Sequence, residues 1–106
     1  MHKMSLMVKE YLLPVEGKQV MEMPKNAWVL SVAPQTRRGI LGTEVIVLYV
    51  LVDPQNQTMG PHHILMTETD RPLLTDENRR HLVYIGSTFG RNGLVWHVFE
   101  EREFPL

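Results

Sequence analysis

The segment Leu82–Glu100 joins two apolar runs, rich in β-branched and aromatic residues, across Gly90-Arg91-Asn92-Gly93. Asn and Gly accept the positive φ angles that a tight hairpin turn requires. The flanking Val, Ile, Tyr, Trp and Phe suit a pleated, half-buried strand. This pair of strands sets the class of the fold as β. In its second strand Leu94, Trp96 and Val98 share one face, while Val95, His97 and Phe99 share the other. Both faces are largely apolar, so the strand is either interior to a sandwich or covered by a second subunit. Homo-oligomerisation is therefore an expectation.

Turn residues punctuate the rest of the chain at the spacing of a sandwich or barrel. Strands are expected at Met7–Leu13, stopped by Pro14 and Gly17, and at Lys18–Met23, stopped by Pro24. Ala27–Ala33 follows, stopped by Pro34. Thr43–Val52 is nearly all apolar after Glu44 and reads as a central strand covered on both faces. Asp53-Pro54 starts a turn. Pro61–Thr69 begins with a proline that cannot donate to a ladder, which points to an edge. Thr75–His81 offers a cap residue, early acids and late basic residues, enough for one or two helical turns. The expected fold is mainly β, a single domain over residues 1–106. It is an antiparallel β-sandwich or partly open barrel of about seven strands with at most one short helix.

Composition narrows the function classes. At 106 residues, with 43% apolar and 22% charged, the chain can bury a core without a metal or disulfide. It has no cysteine, hence no thiolate metal site and no thiol nucleophile. The first residues turn charged too soon for a signal peptide, and Val45–Val52 is far short of a membrane span. These features suit a cytoplasmic protein with no membrane partner. A net charge of −1 supplies no global attraction to nucleic acid.

Met21-Glu22-Met23-Pro24-Lys25-Asn26-Ala27-Trp28-Val29-Leu30-Ser31-Val32, then Leu48–Pro54, Tyr84–Thr88 and Gly93–Glu100 resemble, in order, a family of small uncharacterised proteins encoded by bacteriophages and prophages. The shared elements are a Met-Pro-Lys turn, a Leu-Ser-Val strand, Leu-Val-Asp, a Tyr-Ile-Gly strand and a closing aromatic-His-Val-Phe-Glu strand. The resemblance spans Met21 to Glu100. The chain departs from the pattern between Gln35 and Thr43, where its loop is longer and more basic, and again between Pro72 and His81. The resemblance implies a phage origin and a shared fold, and carries over no catalytic residue.

Among candidate sites, the loop Pro34–Thr43 stands first. Arg37 and Arg38 can offer planar donors to phosphate or an acidic surface, and Ile40 and Leu41 can anchor a partner at the loop tip. The bland reading folds Ile40 and Leu41 back over the core. Arg91, in the hairpin turn, can join this basic set, with Arg79 and Arg80. Nucleic-acid modules add exposed aromatics for stacking. Here Trp28, Tyr49, Tyr84, Phe89, Trp96 and Phe99 sit at strand positions where burial is the default. The tail Glu100–Leu106, read as a solvated, fraying end, also repels phosphate.

Five histidines invite a metal. His62 and His63 point to opposite faces of a strand, and no metal-ligand spacing links His81 with His97. A hydrogen-bonded structural histidine is the simpler reading, with His97 the one to be buried. Glu68 with Asp70, or Asp76 with Glu77, fall in turn-rich segments where acids are solvated or capping. Ser31 or Ser87 with His97 and Asp53 lacks any nucleophile-elbow pattern.

No catalytic residue, cofactor or metal is assigned on this reading. The expected function is that of a non-enzymatic phage accessory protein that binds a host bacterial protein, inhibiting an enzyme or defence component in the host cytoplasm. A protein that sequesters a nucleotide signal, with Arg37, Arg38 and Arg91 on its phosphates, is the second class. A minor virion component is the third.

Overall fold

The computed structural model describes residues 5–34, 44–73, 81–90 and 93–102. Seven strands form there: β1 (Met7–Pro14), β2 (Lys18–Pro24), β3 (Trp28–Pro34), β4 (Val45–Val52), β5 (Met59–Glu68), β6 (His81–Phe89) and β7 (Val95–Arg102). Every ladder is antiparallel. The strands divide into a three-stranded sheet, β1-β4-β3, and a four-stranded sheet, β2-β5-β7-β6. Two separate sheets make the fold a sandwich. No α-helix occurs among the described residues; the helical turn expected at Thr75–His81 falls on 75–80, outside them, and His81 opens β6.

Turn chemistry ends the strands where the sequence places its breakers. Pro14, Pro24 and Pro34 close β1, β2 and β3. After β4, Asp53 accepts the Gln55 amide on its carboxylate at 2.9 Å and the Asn56 amide on its carbonyl at 3.0 Å. These bonds turn the chain into β5. In the β6–β7 hairpin the Gly90 amide donates to the Leu94 carbonyl at 2.8 Å, and Gly93 takes φ 73°, the positive angle expected of the Asn-Gly pair.

The core lies between the sheets. From central β4, Ile46, Leu48, Val50 and Val52 face inward against Ile64 and Met66 of β5 and Val98 of β7. Leu13, Met23, Ala27 and Val29 close the cluster. Each such side chain contributes about 1.5–3 kcal/mol relative to exposure. A register shift at Tyr84/Gly86 lets Ile85 join the core, while Tyr84 faces out against Phe99, ring centroids 5.4 Å apart.

Three expectations need correction. β5 is an interior strand, paired on both sides with β2 and β7, despite Pro61. Its ladder with β7 begins only at His63, so Pro61 pairs on one side alone, opposite Glu22, and its missing N–H breaks no second ladder. Trp28, Tyr84 and Phe89 are 56%, 57% and 62% exposed, because they occupy outward positions rather than the core. The C-terminal tail does not start at Glu100: β7 runs to Arg102, with Glu100 and Glu101 each only 3% exposed.

Candidate functional site

The two sheets are joined at one end by the turn Pro24-Lys25-Asn26-Ala27, closed by the Ala27 amide on the Pro24 carbonyl at 2.9 Å. That carbonyl has a second lone pair, and the buried His62 uses it: Nε2 lies 2.9 Å away. The other ring nitrogen, Nδ1, lies 2.9 Å from Glu100 Oε2. Glu100 Oε1 in turn accepts from Arg102 Nε at 3.1 Å and Nη2 at 2.8 Å. Arg102 lays its guanidinium over the Trp28 ring, 4.6 Å from the centroid.

Alternation explains how these residues meet. Trp96, Val98, Glu100 and Arg102 fall on the inner face of β7, as His62, Ile64 and Met66 do on β5. The apolar core thus gives way at this end to a charged plug on the same faces.

Both nitrogens of His62 face acceptors, an arrangement that favours the doubly protonated ring, donating to each. The Glu100 hydrogen bond, above all, raises its pKa over the ordinary 6.5; burial opposes this, and the Pro24 carbonyl and the Glu100 charge add to it. For Glu100 burial is the largest influence and would raise its pKa. The hydrogen bonds from His62 and Arg102 outweigh it and hold the carboxyl below 4.5. Glu100 thus sits as one anion between the His62 ring and the Arg102 guanidinium, with the buried Glu101 next in the chain.

Beside this plug a groove of about 610 Å³ opens. Its walls are Lys25 and Asn26 of the crossing turn, Trp28 at the start of β3, Pro61 and His63 of β5, and the end of β7. Its carboxylates are withdrawn: Glu100 is bound by His62 and Arg102, and Glu101 is buried. Its hydrogen-bond donors are not. Neither the side chain of Lys25 nor that of Asn26 or His63 has a partner among the described residues, and Trp28 is more than half exposed.

The binding residues expected from sequence, Arg37, Arg38, Ile40, Leu41 and Arg91, lie outside the described residues, as do Arg79, Arg80, Asp76 and Glu77. His62 and His63 do point to opposite faces, but the buried histidine is His62, not His97. His97 faces outward and half-buried, with Ser87 Oγ 2.8 Å from Nδ1 and Thr69 Oγ1 2.8 Å from Nε2. Tyr84 extends this hydroxyl chain to Ser87 at 2.6 Å. The fold therefore does join Ser87 to His97. A hydroxyl, not a carboxylate, holds the far nitrogen, and Asp53 is engaged in the β4–β5 turn. Such a chain orders side chains and lacks the carboxylate that orients the imidazole of a catalytic triad. Glu68 pairs loosely with Arg71 at 4.0 Å, and Asp70 sits in the following turn at φ 63°. No group of three or more His, Asp or Glu positioned to hold a metal occurs among the described residues.

Sequence reading missed the plug because its members are far apart, 38 positions between His62 and Glu100. A signal was present. The alternation of β7 carries straight through Glu100 to Arg102 in core phase, which marks an acid bound to be buried and neutralised.

Fold and groove define a small antiparallel β-sandwich with a charged plug at one end. The chain belongs to the family described as a domain of unknown function, DUF7352, whose model matches residues 4–105. No curated protein and no solved structure matches it.

Proposed function

We propose that this protein is a phage accessory protein that acts without catalysis, by capturing a bacterial host protein in the host cytoplasm through the groove beside Trp28. The observation that carries the reading is the set of partnerless donors, Lys25, Asn26 and His63, ranged along a rigid groove with an exposed tryptophan. Tryptophan is among the residues that most often anchor protein recognition. The phage setting and an inhibitory outcome rest on the motif resemblance from Met21 to Glu100. The Ser87–His97 chain supports a structural role, since its outer nitrogen is closed by Thr69.

Self-association is part of the proposal. Val8 lies beside Leu51 in one row across the outer face of the β1-β4-β3 sheet, and Leu12 beside Val47 in another. Val8 and Leu12 are about half exposed. Light scattering on the purified protein reads the oligomeric state.

The functional test is affinity purification from bacterial cells with the wild type and a Lys25→Glu/Trp28→Ala double variant. A stoichiometric host protein held by the wild type and lost by the variant is the expected result. Recovery of no specific partner by the wild type would end the proposal.

A further inference from the structure

We infer that the element of the partner that enters the groove is an acidic peptide segment, carboxylates beside an aromatic side chain. This rests on the groove being the working face. Both acids of the wall are buried, whereas Lys25 Nζ, the Asn26 side chain and the His63 ring are partnerless among the described residues. With Glu101 counted, the buried charges behind them balance. Both carboxylates of the groove are thus withdrawn from its surface, and the net positive charge it exposes is that of Lys25.

The aromatic part follows from Trp28. One face of its ring lies under the Arg102 guanidinium, yet the residue is 56% exposed, which leaves the other face open for stacking. A cation already seated on the ring anchors its orientation. The volume of about 610 Å³ falls within the roughly 300–1,000 Å³ of ligand clefts.

The donor geometry favours carboxylates strung along a peptide over a phosphate. Arg102 gives Nε and Nη2 to Glu100, so its planar fork is not available for the bidentate grip that phosphate recognition uses. The remaining donors are single and come from different elements, the crossing turn and β5.

The test selects a random-sequence peptide library against the full chain, Lys25→Glu and Trp28→Ala, with circular dichroism melts verifying that both variants fold. The expected wild-type pool is enriched in Asp and Glu next to Phe, Tyr or Trp. A peptide synthesised from it should bind about fivefold more weakly to Lys25→Glu, the scale of an exposed ion pair. Trp28→Ala should weaken it about tenfold, and added salt should weaken it further. A pool with no acidic enrichment overturns the inference, as do enriched peptides that bind both variants like the wild type. Binding of adenosine monophosphate without selection of acidic peptides overturns it in favour of a phosphate site. Failure here and failure of the proposed function are distinguishable. A host protein lost by both variants, alongside a pool that is not acidic, removes the acidic segment and keeps the binding function of the groove. An acidic pool with no host partner does the reverse.

Discussion

Replacing Glu100 by Gln keeps the side chain's size and removes the one anion that holds two cations at the end of the sandwich. Glu100 is 3% exposed and accepts three hydrogen bonds, from His62 Nδ1 and from Arg102 Nε and Nη2. Breaking one member of a buried ion pair costs about 3–5 kcal/mol. Two reliefs apply: His62 can release its proton, and the Arg102 side chain, 19% exposed, can turn toward water. The lower end of that range, about 3 kcal/mol, is therefore expected, or about 15 °C in Tm for a domain of this size. The pH dependence is more telling than the size. His62 has its folded pKa above 6.5, so its stabilisation is complete below 6.5 and is lost as pH rises through the folded value. Glu100 has its folded pKa below 4.5, so its stabilisation is complete above 4.5 and is lost as pH falls through the folded value. Glu100→Gln has neither term. The stability gap between wild type and variant should peak between pH 4.5 and 6.5 and shrink on both sides. Urea unfolding at a series of pH values measures it. A gap that is flat with pH, or smaller than about 1 kcal/mol, would refute the charged plug.

Other substitutions probe single features. Thr88 Oγ1 is buried without a hydrogen-bond partner, so Thr88→Val should stabilise the fold by about 1 kcal/mol in urea unfolding; a loss of stability would mean the hydroxyl is bonded. A Cβ on Gly60 would stand 2.7 Å from Lys25 Cγ, close to that residue's backbone. Gly60→Ala should therefore cost about 1–3 kcal/mol and weaken any groove ligand by displacing Lys25, a pairing of effects that calorimetry reads together. Gly93 meets open space but holds φ 73°, so Gly93→Ala should destabilise by about 1 kcal/mol through backbone strain alone. An unchanged melt would show that the hairpin turn relaxes.

Strands were legible because their signals are local. Prolines at 14, 24 and 34 and the Asp53-Pro54 turn stop strands where expected, and the unbroken apolar run of β4 marked the centre of its sheet. Pro61 misled because a proline forbids pairing on one side only, and sequence does not say where the neighbouring ladder ends. Burial of aromatics misled for a related reason. Trp28 and Phe89 stand at strand ends, and Tyr84 sits at a register shift, positions where side-chain type does not decide the face. The site itself was illegible by local rules: His62, Glu100 and Arg102 become partners only when β5 and β7 pair, and Glu100 by itself looks like any solvated acid.

The most direct measurement is the protonation of the His62 ring, read by nitrogen-15 NMR on histidine-labelled protein at neutral pH. Both ring nitrogens of His62 should carry protons, each bonded to an acceptor, Glu100 on one side and the Pro24 carbonyl on the other. A neutral ring, with one bare nitrogen at pH 7, would contradict the cation that plugs the sandwich.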